Sequence, residues 1–356
     1  MYFWSGAELC RPLAAGADVA VTLHDVAIRA GVSIKTVSQV VNGHAQVSPS
    51  TRQRVLAVVE ELGYQPNLSA RSLRSGRTHV ISLIIPTLRN AYFAELADEV
   101  MVAATEYGLS VLIEQVNGTR ASELAALHGP RGQGVDGLLY SALELGQADE
   151  PVLEGIDLPL VLLGDRMFNT TRDHVTIQNE AGAKAAAEHL LSLGRRRIVA
   201  LGAHRGEVIG SAGLRLAGYC QALLDASVPG DDQLVRYVGT WHRSDGADAM
   251  RALLAEQVPF DAVLAFNDTL ALGAMRVLQE AGLRIPDDVA VIGFDDIDET
   301  RYSLPTLSTV NPGRTEIART AVRLLADRIA GRHVGEPLEI EASFRVLPRE
   351  STAVAR

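Results

Sequence analysis

One short stretch of the sequence carries polar side chains at a spacing that suits recognition of another molecule. In VSIKTVSQVVNG, residues 32–43, valines recur at helical intervals and predict a face that packs against a core; these are Val37, Val40 and Val41. The opposite, exposed face carries Ile34, Lys35, Thr36, Ser38 and Gln39. An ammonium, two hydroxyls and a carboxamide on one helix face are hydrogen-bonding groups for a partner, so the stretch predicts a binding helix.

Catalytic and cofactor-binding motifs are not evident in the sequence. GQGVDG at 132–137 satisfies G-x-G-x-x-G by letter, but it precedes a predicted strand, whereas a dinucleotide fingerprint follows a strand and opens a helix. The acids in DDIDE, 295–299, have no neighbouring His or Cys, and consecutive acids at a strand end are typical of a solvated loop. We therefore expect no enzymatic activity, no metal site and no cofactor.

Charge is distributed unevenly along the chain. The net charge is -10, yet residues 21–79 hold seven basic and three acidic residues, whereas residues 80–356 hold 25 basic and 38 acidic ones. This asymmetry predicts a small basic module joined to a large acidic one, and a basic module favours nucleic acid as a partner. The alternative is a chance cluster of surface arginines.

The composition is that of an ordinary globular protein, 47% hydrophobic over 356 residues. No run approaches the 18 consecutive apolar residues of a membrane span, and residues 1–20 lack the pattern of a signal peptide, so we expect a cytoplasmic location. Cys10 and Cys220 lie far apart without metal-ligand spacing and are expected to be inert thiols.

Three short helices are predicted in the basic segment. Thr22 can cap a first helix that ends at Gly31, Ser33 can cap a second, and Ser48 can cap a third with proline in its first turn. Helices joined by a tight turn that contains glycine predict a helix-turn-helix domain over 21–66.

The segments on either side of this domain have different characters. LSARSLRSG, 68–76, is basic, has few apolar residues to bury and would be marginal as an isolated helix. We expect residues 67–78 to be a hinge that folds only against a partner. Residues 1–20 show no helical or strand period and are expected to be a disordered arm or a misassigned start.

From residue 79 onward, strands alternate with helices. VISLIIP at 80–86 is typical of a buried parallel strand, and FAELADEVMVAATEYG at 93–108 is an amphipathic helix. The alternation continues through LVLLG, RRIVALG, DAVLAF and VIGFDD. These units exceed one comfortable sheet, so the pattern predicts two doubly wound parallel sheets with a cleft between them.

These blocks resemble the LacI family of bacterial transcription regulators. VTLHDVAIRAGVSIKTVSQVVNG is similar to the family's helix-turn-helix, ARSLRSGRT to its hinge, and VIGFDD and LPTLSTV to late blocks of its effector domain. The resemblance implies a three-helix DNA-binding head, a hinge helix, and a two-subdomain type I periplasmic-binding-like core for effector binding and dimerisation over 79–356. It also implies a homodimer, or a higher assembly, that binds a near-palindromic double-stranded operator.

By this resemblance the second helix enters the major groove. Lys35 is expected to donate to guanine, Gln39 to bond adenine, and Ile34 to contact a thymine methyl group. Gln39 stands where the family commonly has Arg, so the base preference there is open. Further DNA-binding candidates, as phosphate contacts or helix caps, are Thr22, Ser33, Thr36, Ser38 and Asn42.

The resemblance also assigns roles in the hinge. Leu73 is expected to wedge into the minor groove at the operator centre, with Ala70 beside the partner's hinge helix and Asn67 as the cap. The alternative for Leu73 is a simple core position within the linker.

Effector-binding candidates follow from the positions that match the family's strand ends, where ligands of this fold bind. They are Asn90, Tyr92, Phe93, Asp165, Arg166, Arg215, Trp241, Asn267, Asp268 and Asp295. Carboxylates and guanidinium groups can grip adjacent hydroxyls, and an aromatic ring can stack on an apolar sugar face. Some sugar-binding family members carry an additional Arg where this chain has Gly213.

The function expected from these features is that of a sequence-specific DNA-binding regulator, most simply a repressor, controlled by a sugar or sugar derivative. A nucleoside or purine could use the same aromatic surfaces and is the alternative effector. A sugar-binding protein without a DNA function is a further alternative, which the basic head opposes.

Overall fold

The computed structural model describes residues 21–41, 46–64, 77–128 and 134–353, and the chain divides into two compact units, Met1–Arg77 and Thr78–Arg356. Several predictions lie outside the described residues. These are the arm over 1–20, most of the hinge, and the roles given to Asn42, Asn67, Ala70 and Leu73.

The described part of the first unit consists of α1 (Leu23–Ala30), α2 (Ile34–Val41) and α3 (Pro49–Glu61). Thr22 and Asp25 form a capping box, because each side chain bonds the other residue's backbone N–H. Gly31 ends α1 with a φ of 62°, a conformation that glycine adopts without strain. The predicted caps and the tight turn between α1 and α2 are confirmed.

Small aliphatic side chains form the core of this unit. The buried set comprises Val26, Ala27, Ala30, Val37, Val40, Val55, Val58 and Tyr64. The valines of α2 therefore face inward as their spacing predicts, and this burial leaves the opposite face of α2 toward solvent.

In the second unit, strands alternate with helices as predicted. The strands are β1 (Val80–Ile85), β2 (Ser110–Gln115), β3 (Gly137–Ser141), β4 (Leu160–Leu163), β5 (Asp173–Ile177), β6 (Ile198–Ala203), β7 (Val235–Tyr237), β8 (Ala262–Ala265), β9 (Ala290–Phe294), β10 (Ser308–Asn311), β11 (Glu339–Ala342) and β12 (Arg345–Leu347). The helices are α4 (Ala91–Glu106), α5 (Arg120–His128), α6 (Glu150–Glu154), α7 (Asn179–Ser192), α8 (Ser211–Asp225), α9 (Arg243–Ala255), α10 (Asp268–Glu280) and α11 (Arg314–Ile329).

The described strands form two six-stranded sheets, and each sheet is the centre of one lobe. The N-terminal lobe has the order β11-β5-β4-β3-β1-β2, and the C-terminal lobe has the order β12-β10-β9-β8-β6-β7. Neighbouring strands are parallel except β10 and β12, which pair antiparallel. The chain passes between the lobes after β5, β10 and β11, so the prediction of two doubly wound sheets is confirmed.

Glycines allow two helices of the C-terminal lobe to pack closely. A Cβ atom at Gly246 of α9 would overlap the carbonyl of Leu270, and one at Gly273 of α10 would overlap the carbonyl of Arg243. The backbones of the two helices are therefore in direct contact at these glycines. This contact fixes the start of α9 beside the start of α10.

Among the described residues, no helix is both long enough and apolar enough to cross a membrane.

Candidate functional site

The first candidate site is the outer face of α2. Ile34 is 45% exposed and Lys35 is exposed, whereas Thr36, Ser38 and Gln39 are half-buried. Ile34, Lys35 and Ser38 lie on the first turns of the helix, which is where a recognition helix contacts base edges.

Local hydrogen bonds account for three of the other candidates in this unit. The Ser33 hydroxyl accepts a hydrogen bond of 3.1 Å from the Thr36 backbone N–H, and the two hydroxyls lie 2.9 Å apart. Thr22 is held by Asp25 in the capping box, and the hydrogen bond from the Thr22 hydroxyl lowers the pKa of Asp25. Thr22 thus caps α1 and Ser33 caps α2, whereas Lys35 and Ile34 project from α2.

The second candidate site is a cavity of about 240 Å³ between the two lobes. Eight of the predicted effector-binding residues line it: Asn90, Tyr92, Phe93, Asp165, Arg166, Arg215, Trp241 and Asp295. Asn90 also caps α4, because its side chain accepts a hydrogen bond from the Tyr92 backbone N–H at 3.1 Å.

Arg215 is the buried cation of the cavity, and hydrogen bonds to the protein occupy two of its five N–H donors. Its Nε donates to Asn179 at 2.7 Å, and its Nη1 donates to the carbonyl of Phe266. Its Nη2 lies 3.6 Å from the Asp295 carboxylate. The predicted bidentate grip on two ligand hydroxyls is therefore left to Nη2 and the second N–H of Nη1, because Nε and the first N–H of Nη1 hold the guanidinium in place.

Asp295 lies directly after β9, only 5% exposed, with a φ of 117°. Burial raises the pKa of this carboxyl to about 7, although Arg215 and Arg314 act in the opposite direction. A carboxyl with such a pKa can be either a hydrogen-bond donor or an acceptor near neutral pH.

Aromatic rings form an apolar wall around these polar groups. The Trp241 ring lies 5.1 Å from the Arg215 guanidinium carbon, and its Nε1 donates to the carbonyl of Gly202 at 2.8 Å. Tyr92 and Phe93 meet edge to face with ring centroids 5.3 Å apart. Burial raises the pKa of the Tyr92 phenol, so this group is a protonated hydroxyl at neutral pH.

Asp165 connects the two lobes. One of its carboxylate oxygens accepts from Thr176 at 2.9 Å within the N-terminal lobe, and the other accepts from Ser211 at 2.6 Å in the C-terminal lobe. Its oxygens retain lone pairs for a ligand, but the carboxylate also contributes to closure of the cleft.

The two remaining effector candidates do not line the cavity. Asn267 is fully buried and caps α10 through a bond from the Leu270 N–H at 2.9 Å. Asp268 accepts from the Thr309 hydroxyl at 2.7 Å and from the Ile297 N–H at 3.0 Å. Both side chains are used inside the C-terminal lobe, because the strand end that carries them is covered by the next strand's loop.

The prediction that DDIDE is a solvated loop is wrong for its first two residues. Asp295 and Asp296 are 5% and 2% exposed, and Asp296 pairs with Arg349 at 2.5 Å and with Arg301 at 3.1 Å. Arg301, five residues along the chain, and Arg349, distant in sequence, compensate this buried charge. In the described residues, no cluster of three or more His, Cys, Asp or Glu side chains could hold a metal ion.

Further cavity-lining residues, not predicted from the sequence, lie in the loop between β6 and α8, at the first residue of α8 and in the loop before α9. His204, Glu207, Ser211, Thr240 and His242 also line the cavity. The rule that ligands bind at the carboxyl ends of strands applies equally to the end of β6, so it could have identified His204 and Glu207.

A helix-turn-helix head and a two-lobed unit with a cavity between its lobes, in one chain, define a ligand-responsive transcription regulator. Two family models match: "Bacterial regulatory proteins, lacI family" over residues 22–67, and "Periplasmic binding protein-like domain" over residues 187–352. The regulator CelR of Thermobifida fusca is 36% identical over 339 residues, which are 93% of this chain and 98% of CelR.

Solved structures give the same result. The structure of a CelR–cellobiose complex is 33% identical and has a TM-score of 0.68, covering 93% of this chain and 99% of that one. The lac repressor dimer bound to operator and an anti-inducer is 29% identical and has a TM-score of 0.81, with coverage of 94% and 100%. The chain belongs to the LacI family of bacterial regulatory proteins, so it is a DNA-binding transcription regulator and not an enzyme.

Proposed function

We propose that this chain acts in the cytoplasm as a homodimeric repressor that binds a near-palindromic operator through α2 and responds to a carbohydrate in the interlobe cavity. The observation that carries the proposal is the convergence of Asp165, Asp295, Arg215 and Trp241 on one cavity. A charged and hydroxyl-bonding floor beside aromatic walls suits a ligand with many hydroxyl groups and an apolar ring face.

At the operator, Lys35 and Ile34 are the groups that project from α2. Lys35 would donate to guanine O6 and N7, and Ile34 would contact a thymine methyl group. Gln39 is half-buried, so it would reach an adenine or a bridging water from the edge of the helix. Thr22, Ser33 and Ser38 would hold the helix in register against the phosphates.

The residues that line the cavity and the similarity to CelR both favour a sugar over a nucleoside. The ligand in the CelR structure is cellobiose, a disaccharide, and that relative aligns with nearly the whole of this chain. Within the cavity, Asp295, the Nη2 of Arg215 and the Tyr92 hydroxyl offer both donors and acceptors to ligand hydroxyls. Trp241 and Phe93 offer apolar faces.

Operator binding is tested by the mobility shift of palindromic duplexes from the upstream region of the chain's own gene. The wild type should form a specific complex that weakens as salt increases. Lys35→Ala should weaken it by about 1–3 kcal/mol, the value of a lost base contact. The chain has one other lysine, Lys184, which pairs with Asp225 in the second unit, so Lys184→Ala is the matched control. If Lys35→Ala and Lys184→Ala bind equally, α2 does not read the operator through Lys35.

Effector binding is tested by a thermal-shift screen that contains cellobiose, other disaccharides, monosaccharides, nucleosides and purines. A ligand that binds the native state raises the melting temperature. Trp241→Ala should abolish the shift while operator binding without ligand is retained. A shift by a nucleoside or purine alone would replace the carbohydrate proposal with its alternative. Loss of both DNA binding and ligand response in Trp241→Ala would indicate misfolding, and Trp241→Phe would then be the informative variant.

A further inference from the structure

The loop between β6 and α8, residues 204–210, lines the cavity and contacts the opposite lobe. Arg166 follows β4 in the N-terminal lobe, and its Nη1 donates to the carbonyl of Ile209 at 3.2 Å. Its Nη2 lies 3.7 Å from the Glu207 carboxylate. Arg166 is 28% exposed and Glu207 is 11% exposed, so solvent screens this ion pair only in part.

Glu207 is held firmly by its own lobe. One carboxylate oxygen accepts from the backbone N–H groups of Ala212 and Gly213, at 3.0 and 3.3 Å, in the first turn of α8. The other oxygen accepts from His204 Nδ1 at 2.8 Å. Although burial opposes it, the hydrogen bond from His204 and the charge of Arg166 lower the pKa of Glu207, so the carboxylate is ionised at neutral pH.

Two glycines make room for this loop. A Cβ atom at Gly213 would lie 2.6 Å from the carbonyl oxygen of Val208 and 2.7 Å from that of Glu207. Gly210 has a φ of 117°, and a Cβ atom there would lie 2.6 Å from the Glu207 carboxylate. The loop therefore occupies the space that a side chain at 213 would need, and it brings a carboxylate to the cavity mouth.

We propose that Glu207 is a positioning residue of the cleft: anchored to α8, it holds Arg166 of the opposite lobe and latches the two lobes together. The Ser211–Asp165 hydrogen bond supports the same side of the mouth without an ion pair between the lobes. The importance of the latch for regulation rests on the proposed effector function, whereas the latch itself consists only of side chains of this chain. A ligand that contacts Arg166 would either displace Glu207 from the ion pair or bind Arg166 alongside Glu207.

The test measures closure without any effector, through acrylamide quenching of Trp241 fluorescence. Trp241 lies in the cavity wall, and its ring centroid is 5.6 Å from that of His204. The chain's other tryptophan is Trp4, so a Trp4→Phe background leaves Trp241 as the sole reporter. Glu207→Gln keeps an oxygen for the two backbone N–H groups and removes the charge that holds Arg166.

Glu207→Gln should increase the quenching constant about twofold, because an unlatched cleft admits the quencher. Raising NaCl from about 0.05 to about 0.5 M should bring the parent toward the variant and leave the variant unchanged, since salt screens only a pair that is present. The matched control is Glu256→Gln, which removes the same charge from the Arg236–Glu256 pair on the surface of the C-terminal lobe. The quenching constant of Glu256→Gln should equal that of the parent.

A double-mutant cycle separates the latch from a local role of Glu207. If the pair is the latch, Arg166→Gln and Glu207→Gln should each increase quenching, and the double variant should add nothing further. Additive effects, or unchanged quenching in Glu207→Gln, would overturn the proposal and leave Glu207 as a support for His204 and α8. Because no effector is present, a failed ligand screen would leave this result intact.

Discussion

The buried carboxyl of Asp295 predicts a specific dependence of stability on pH. Burial raises its pKa to about 7 in the folded chain, whereas an unfolded aspartate titrates near pH ~3.9. Between these values the folded state retains a proton that the unfolded state has released. Stability contributed by this site is therefore present at low pH and is lost as pH rises toward 7.

Asp295→Asn should remove this dependence. One group that titrates in this way changes the free energy of unfolding by about 1.36 kcal/mol per pH unit. Between pH ~5 and ~7 the free energy of unfolding of the wild type should therefore fall by up to ~2.7 kcal/mol relative to that of the variant. For a unit of this size, that corresponds to about 5 °C in melting temperature. Asparagine has the same shape as aspartate, so any strain from the positive φ of 117° is common to wild type and variant. Loss of the Asp295–Arg215 contact at 3.6 Å adds an offset, but the offset does not create a slope.

The assay is thermal unfolding of wild type and variant at pH 5, 6, 7 and 8, and the result is the change with pH of the difference between them. Asp288→Asn is the control, because hydrogen bonds from Arg284 lower the pKa of Asp288 to about 2, below the range of the assay. Asp288→Asn should change the melting temperature by the same amount at every pH, so the dependence on pH should match that of the wild type. Parallel curves for Asp295→Asn and wild type would show that Asp295 is ionised throughout and that the argument from burial is wrong.

Two further predictions concern the framework of the cleft. Glu123 is fully buried, and its carboxylate accepts hydrogen bonds from the Tyr140 hydroxyl and from the backbone N–H groups of residues 143–145. In Glu123→Gln the side-chain NH2 group would face the Leu145 N–H, so two donors would meet. We expect this to lower the free energy of unfolding by about 2–3 kcal/mol, measured as a fall in melting temperature. Gly273→Ala should force α9 and α10 apart at the Arg243 carbonyl and cost ~2 kcal/mol or more in urea unfolding, whereas Ala274→Gly, next to it, should cost about 1 kcal/mol. Equal effects at 273 and 274 would contradict the close packing.

Much of the fold could be predicted because its signals are local. Caps at Thr22, Ser33 and Ser48 and apolar runs such as 80–85 depend on neighbours in sequence, and the structure confirms them. The strand β5, DHVTI, was not predicted, because its first two residues are polar. Arg328, far away in sequence, pairs with Asp173 at 2.7 Å, and the Gly164 carbonyl lies 2.6 Å from the His174 ring nitrogen. Such partners are visible only after the chain has folded.

The candidate site also has features that the sequence predicts and features that depend on distant parts of the chain. Placement of candidates at strand ends follows from topology, and eight of the ten predicted effector residues line the cavity. Which side chain faces the cavity depends on loops that cover some strand ends, and this is why Asp268 is enclosed by Ile297 and Thr309. The occupancy of the Arg215 donors was equally hidden, since Asn179 and Phe266 come from other segments.

The space taken by the 204–210 loop limits how this regulator could be redesigned. An arginine introduced at Gly213 would collide with the backbone of Val208 before it reached a ligand. A change of effector specificity at this position would therefore require loop length, Gly210, Gly213 and Glu207 to be changed together. Exchange of the whole segment from β6 to the first turn of α8 is the smallest transplant that the packing allows.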